Sequence, residues 1–342
     1  MIQQAIKQVI DKRDLSQQQA AQVMQSILGG EAAPAQVGGL LVALRMKGET
    51  VDEITGFAQT MRTAAVNIRP KAHPLIDTCG TGGDMSGTFN ISTAAAFVVC
   101  AAGLAVAKHG NRSVSSKSGS ADVLEALGVR IDLPPEAVRR CIDEVGIGFM
   151  FAPRFHMAMK HAAGPRRELG IRTVFNILGP LTNPAGASRQ LLGVFSEKLV
   201  RPMAEVLAKL GTRRAMVVHG TGGLDEITIS GATKVSEIMA DGSIRDYTVS
   251  PEQFGIKRAP IEAIQGGGSE ENADIIKAVL RGEKSPAGDI VAVNAGAAIY
   301  LCDGAPTLED GVAQAQQILA HGGALRKLEA FAAYTQEAAE EA

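Results

Sequence analysis

Three stretches of this 342-residue chain carry residue types and spacings that can do chemistry. The first is Asp77-Thr78-Cys79-Gly80-Thr81-Gly82-Gly83-Asp84, followed shortly by Thr88-Phe89-Asn90-Ile91-Ser92-Thr93. Glycines let a backbone approach an anion closely and turn consecutive N–H groups toward it. The apolar run Ala94 to Cys100 predicts a helix beginning near Asn90 or Ser92. A helix N-terminus adds unpaired donors and the positive end of a dipole. Strand, glycine loop and helix start, in that order, make a phosphate site. No Lys follows Gly87, which excludes a Walker A loop, and Met85 stands where a dinucleotide fingerprint needs its third glycine. A structural turn would use the same glycines, so the loop alone is only moderately specific.

The second stretch runs Lys108-His109-Gly110-Asn111-Arg112-Ser113-Val114-Ser115-Ser116-Lys117-Ser118-Gly119-Ser120-Ala121-Asp122, straight after the strand expected at Ala105 to Ala107. Ligands in open α/β sheets gather at the carboxyl ends of strands. Cations and hydroxyls at this density suit a pyrophosphate; a solvated basic loop is the plain alternative. The third stretch is Leu224-Asp225-Glu226-Ile227, after Gly220-Thr221-Gly222-Gly223. Adjacent carboxylates on a loop suit magnesium, which binds through one or two carboxylates plus substrate phosphates. By itself an Asp-Glu pair is equally an exposed acidic loop.

The elements that must position these groups are legible in outline. The first seventy residues read as helices only. Ile2, Ile6, Val9 and Ile10 share a face, Ser16 is an N-cap, Pro34 suits a first helical turn, and a fourth helix spans about 51–65. A hinge follows at 69–74. Beyond it, strands are expected at Leu75-Ile76-Asp77, Ala105 to Ala107, Ile147 to Phe151, Leu191 to Phe195 and Ala215 to His219, with helical stretches between. That alternation predicts an α/β layer structure with a largely parallel sheet. Near the C-terminus, 270–281, 287–302 and 307–320 read as helices, and Gly266-Gly267-Gly268 as a loop.

Composition narrows the function classes. A hydrophobic share of 46% supports a real core, while a net charge of −2 supplies no basic field for nucleic acid or an anionic membrane. The absence of Trp weakens any base-stacking surface. Cys79, Cys100, Cys141 and Cys302 are dispersed, without CxxC spacing or a secretory leader, so free thiols in the cytoplasm are expected. Met85 to Ala107 is uncharged but broken by Ser, Thr, Asn and Gly, hence no membrane span.

Taken together, the CGTGGD loop, TFNIST, KHGNRSVSSKSGSAD, GPRRELGIRT, FNILGPLTNP and the GLDE pair resemble the anthranilate phosphoribosyltransferase family, over nearly the whole chain and in the family's order. KHGNR with GSAD is the specific part, since related pyrimidine nucleoside phosphorylases carry a different segment there. Met85 departs from the commonest form of the loop, where glycine is frequent. The resemblance implies a nucleoside-phosphorylase-like fold, with a small helical domain over 1–72, joined by about 164–186, and a large α/β domain over 73–342. It also implies a homodimer formed through the helical domain and a place in tryptophan biosynthesis.

The resemblance further implies site roles. Gly80, Thr81, Gly82, Gly83, Asp84 and Thr88 would hold phosphoribosyl pyrophosphate (PRPP), joined by Asn90, Ile91, Ser92 and Thr93. Lys108, His109, Gly110, Asn111, Arg112, Ser113, Val114, Ser115, Ser116 and Ser120 would bind its pyrophosphate and ribose phosphate. Asn111, Arg166 and His156 would meet anthranilate, with His109 and Gly80 nearby. Ser92, Asp225 and Glu226 would ligate magnesium, two ions per subunit. Lys108, Asn111 and Arg166 are the expected catalytic groups, with Arg167 leaving a one-position ambiguity. The alternatives are a pyrimidine nucleoside phosphorylase and a non-catalytic nucleic-acid-binding relative.

Overall fold

The computed structural model describes residues 1–113 and 117–341; the substrate contacts expected at Val114, Ser115 and Ser116 lie outside the described residues. Four helices come first: α1 (Ile2–Ile10), α2 (Gln17–Leu28), α3 (Pro34–Lys47) and α4 (Val51–Ala64). Ser16 caps α2 in a reciprocal box with Gln19, and Thr50 does the same for α4 with Glu53. Glu53 is fully buried, yet it accepts from Leu15 N (2.9 Å), Thr50 N (2.8 Å) and Lys47 Nζ (3.0 Å), which offsets the cost of burying its charge. Ile10 differs from the expected pattern. Ala5 faces inward with Ile2 and Val9, and Ile10 is 65% exposed, one step past the buried stripe.

The rest of the chain builds one seven-stranded sheet from β1 (Leu75–Gly80), β2 (Ala105–Gly110), β3 (Ile147–Phe151), β4 (Arg189–Gly193), β5 (Arg214–Gly220), β6 (Thr233–Ile238) and β7 (Ile244–Val249), in the order β3-β2-β1-β4-β5-β6-β7. The first five strands pair in parallel, and β6 and β7 add on antiparallel. This last pair has no counterpart among the expected strands. Polar residues interrupt both strands, as in Ser236-Glu237 and Arg245-Asp246, so no run of apolar residues announces the pair.

Helices cover both faces. On one lie α5 (Ile91–Ala101), α6 (Ser120–Ala126) and, near the C-terminus, α12 (Ser269–Leu280), α13 (Pro286–Leu301), α14 (Leu308–Ala320) and α15 (Gly323–Glu340), the last beyond the expected helices. The other face meets α11 (Val200–Lys209), whose Met203 and Leu207 share a core with Leu192 and with α1 to α4. Helix α7 (Pro135–Val145) precedes β3, and three helices connect β3 to β4: α8 (Ala152–Phe155), α9 (Lys160–Leu169) and α10 (Phe175–Leu178). Ala162, Val174, Phe175, Ile177 and Leu178 pack with α1 to α4. The Arg62 guanidinium ties this layer down by donating to Leu181 O (2.6 Å) and Leu210 O (3.0 Å).

The strand order reverses between β1 and β4, so their carboxyl ends form a topological switch point, where open α/β sheets leave a crevice. Gly80 and Gly193 are register partners at that point.

Candidate active site

The crevice is a cavity of about 640 Å³. Every described residue proposed for substrate or metal from the sequence lines it, from Gly80 through Glu226. Arg166 lines it and Arg167 does not.

One wall is the glycine loop. Gly82, Gly83 and Gly87 all have positive φ, and so does Met85 (φ 60), a residue type that rarely adopts this conformation. The loop is pinned from both sides. Thr81 N donates to Gly193 O (2.9 Å), Phe195 N donates to Thr81 Oγ1 (3.1 Å), and Gly266 N donates to Gly87 O (2.8 Å). The Gly266–Gly268 segment, expected only as a loop, thus anchors the glycine loop. It also brings Asn272, whose Oδ1 accepts from Gly267 N while its Nδ2 donates to Asn90 Oδ1 (3.0 Å).

Asp225 lies directly over the switch point. A Cβ on Gly80 would sit 2.3 Å from Asp225 Oδ2, and one on Gly193 would sit 1.5 Å from Asp225 O. The paired glycines make room for this loop to cross the sheet end. There Asp225 Oδ2 accepts from Gly82 N (2.7 Å) and Glu226 Oε1 from Ser92 N (3.1 Å). Both carboxylates are buried. Burial pushes Asp225 up to about 7, with Asp84 adding to the effect and Gly82 N opposing it. Glu226 is pushed well above its ordinary value by burial and then by Asp225. Among the described residues, no group of three or more His, Cys, Asp or Glu side chains closes around a point as a complete metal cage. Two carboxylates beside the Ser92 hydroxyl instead make a partial, hard-oxygen donor set. That set fits magnesium, which takes its remaining ligands from phosphates and water.

Lys108 projects beneath this corner from β2, almost fully buried. Its ammonium donates to Thr78 O (2.6 Å) and Ser92 Oγ (3.3 Å). Burial lowers its pKa, against Asp77, Cys79 and Glu226. Asp77, a residue with no role assigned from the sequence, is buried on β1; Asn183 Nδ2 donates to its Oδ2 (2.8 Å) and His109 N to its Oδ1 (3.4 Å). Burial raises this carboxyl to about 6. Asn183 also donates to Ala107 O (2.8 Å), locking the 179–186 segment to β1 and β2. Its presence in the FNILGPLTNP stretch is the available signal, though spacing alone assigns it nothing.

The opposite wall is less polar. His109 and His156 pack as a tilted pair, with centroids 5.0 Å apart and planes at 53°. Burial lowers them to about 3 and about 4, and for His109 the neighbouring His156 adds to the effect, so both rings are neutral. His109 Nδ1–H donates to Gly179 O (3.2 Å), which leaves Nε2 as an acceptor. The Nε2 atoms of both rings are buried and have no hydrogen-bond partner among the described residues. Arg166 lies over the Phe175 ring (5.0 Å), and burial lowers its pKa. Met61, Met157 and Met159 complete this side; none is among the residues expected from the sequence, because methionines carry no chemical signature there.

Comparison with known proteins agrees with this layout. Residues 72–325 match the a/b domain, and residues 3–65 the helical bundle domain, of the Glycosyl transferase family. The anthranilate phosphoribosyltransferase of Thioalkalivibrio sulfidiphilus is 55% identical over 98% of this chain and 98% of its own length. That of Moorella thermoacetica is 54% identical over 98% of this chain and 99% of its own. The crystal structure of anthranilate phosphoribosyltransferase from Thermus thermophilus superposes with a TM-score of 0.92 at 50% identity, covering 97% of this chain and 99% of that one. The enzyme from Saccharomyces cerevisiae in complex with PRPP and Mg gives 0.90 at 28% identity, over 98% of each chain. No described helix is long and apolar enough to cross a membrane. This chain belongs to the Glycosyl transferase family and, within it, to the anthranilate phosphoribosyltransferases.

Proposed function

We propose that the chain transfers the 5-phosphoribosyl group of PRPP to the amine of anthranilate, giving N-(5-phosphoribosyl)anthranilate and pyrophosphate, a step of tryptophan biosynthesis. The observation that carries this reading is one cavity with two chemically distinct walls. Its anion side holds a glycine loop, a helix start and Lys108, and its aromatic side holds a neutral histidine pair with Arg166.

The reaction displaces pyrophosphate from the anomeric carbon. Positive charge grows on the sugar and negative charge on the leaving group. The loop N–H groups and the Lys108 ammonium offer preorganised donors to that negative charge, an effect that is often the largest catalytic contribution. Ser92, Asp225 and Glu226 would hold magnesium, two ions per subunit in this reading, and the metal supplies charge neutralisation for the pyrophosphate. The amine of an aromatic acid is nucleophilic while neutral, so no strong base is required. His109 and His156 line this side as neutral rings, so neither sets a positive charge beside the amine. Arg166 and Asn111 hold the anthranilate, the guanidinium matching its carboxylate bidentately. Holding the amine against the carbon lowers the barrier by as much as about 7–11 kcal/mol.

Two further statements belong to this reading. The small domain comprises 1–72 with about 164–186, supported by the shared core of Phe175 and Ile177 with α1 to α4. A homodimer forms through it in the cytoplasm, supported by the exposed Ile10 (65%) and Met46 (83%) on its surface.

The test is loss of anthranilate fluorescence on mixing the protein with PRPP and Mg²⁺. A decay abolished by EDTA supports the reading; a folded protein without decay, yet active on thymidine or uridine with phosphate, overturns it.

A further inference from the structure

Arg112 lines the main cavity, and it also lines a second, smaller one together with Glu125 and Phe151. Its Nη1 and Nη2 grip Glu125 end-on (Nη1 to Oε2 2.5 Å, Nη2 to Oε1 3.0 Å), and Nη1 also donates to Asp122 Oδ1 (3.0 Å). A guanidinium has five N–H donors in a rigid fork. Three are used in these contacts. The two left are the Nε–H and the second Nη2–H, which lie side by side on one edge of the plane. That edge is a complete bidentate fork for a phosphate.

The carboxylates that hold Arg112 are themselves fixed. Asp122 divides its oxygens: Oδ1 serves Arg112, while Oδ2 accepts from Ser113 N (3.0 Å) and Gly119 N (2.8 Å). It thereby clasps 111–113 to 118–122. Gly119 permits this clasp, since a Cβ there would lie 2.4 Å from Ser113 N. Glu125 stands on α6, one turn further on from Asp122. The Arg112 ring contact with Phe151 (5.6 Å) closes the remaining side.

We infer that Asp122 and Glu125 are positioning residues for the transfer reaction, aiming the open Nε–Nη2 edge of Arg112 at a phosphate of PRPP. The inference rests on the proposed function. Exposed ion pairs add little to stability. Their effect here is to hold a long, half-exposed side chain in one orientation before the substrate arrives, which removes an ordering cost from binding.

The test is steady-state kinetics of the full chain as wild type, Glu125→Ala, Asp122→Asn, Arg112→Ala and Arg112→Ala/Glu125→Ala, with saturating Mg²⁺. Asp122→Asn keeps an oxygen for the two backbone donors and sets an NH2 group, which cannot accept, against Arg112 Nη1; circular dichroism and Tm check that it folds. Glu125→Ala and Asp122→Asn are expected to raise the PRPP KM about two- to tenfold, the span of one lost side-chain restraint, with the anthranilate KM unchanged. In the Arg112→Ala background, Glu125→Ala is expected to add nothing. An equal Glu125→Ala effect in both backgrounds overturns the inference, as does an unchanged or lowered PRPP KM, since Glu125 would then compete with the phosphate. An inactive wild type strikes the functional reading and this inference with it; an active wild type with an additive cycle strikes this inference alone.

Discussion

Magnesium should stabilise this protein more at high pH than at low pH. Asp225 has an ordinary value of 3.8 and is pushed to about 7 in the fold, first by burial and then by Asp84. Between those two values the folded state binds more protons than the unfolded chain, so stability falls as pH rises through the window. Below 3.8 the difference vanishes, and above about 7 the full cost is present. A tenfold change in proton affinity is about 1.4 kcal/mol, so the full cost is on the order of 4 kcal/mol. For 342 residues the unfolding entropy is on the order of 0.7 kcal/mol/K, which converts that cost to about 6 °C in Tm. Glu226, raised by the same burial and by Asp225, acts in the same direction. A cation binds the ionised pair and offsets the cost. The Mg²⁺-dependent gain in Tm should therefore grow by roughly 2 °C per pH unit up to about pH 7 and then level off. Scanning calorimetry with Mg²⁺ and with EDTA, from about pH 5 to about pH 8.5, covers the upper part of that window and the plateau beyond it. Asp225→Asn is the control: the neutral amide should raise the metal-free Tm above the window, near pH 8, by about three times as much as near pH 5, where only the first part of the cost has accrued. A magnesium gain equal at all pH values, or an Asp225→Asn variant destabilised equally at both ends of the range, would refute the reasoning.

Three substitutions test the geometry. Arg166→Ala removes the guanidinium that lies over Phe175 at the cavity wall. It should raise the anthranilate KM by about tenfold or more while leaving the PRPP KM within about twofold, given the typical strength of a charge-assisted hydrogen bond; equal effects on both constants count against its role. Gly193→Ala should do more harm than Gly82→Ala. Its Cβ meets Asp225 backbone atoms at 1.5 and 2.2 Å, which cannot swing away, so the 224–226 loop must move. Gly82 has open space around it, and only its φ of +67 penalises a side chain, by about 1–2 kcal/mol. Magnesium titrations of activity check this, and a wild-type titration curve for Gly193→Ala refutes it.

What the sequence determined by itself is the local chemistry. The helix cap at Ser16, the run of glycines from Gly80 to Gly83, and the adjacent carboxylates of Asp225 and Glu226 depend on neighbours a few residues away, and those neighbours are visible in a string of letters. Five strands and their parallel arrangement were legible for a related reason: buried strands are nearly continuous apolar runs. The β6–β7 pair was not, because polar and charged residues interrupt both strands; α15 went unread although its buried Ala324, Leu328, Phe331, Thr335 and Ala338 fall at helical spacing.

Tertiary structure alone decided which of these local features share a space. Asp225 meets Gly82 across 143 residues, and Asn183 meets Asp77 across 106. Parallel strands need crossovers, so groups that converge at their carboxyl ends come from distant parts of the chain. The neutrality of His109 and His156 has the same origin. A histidine's type is written in the sequence, but its charge is set by burial and by the neighbour that the fold places against it.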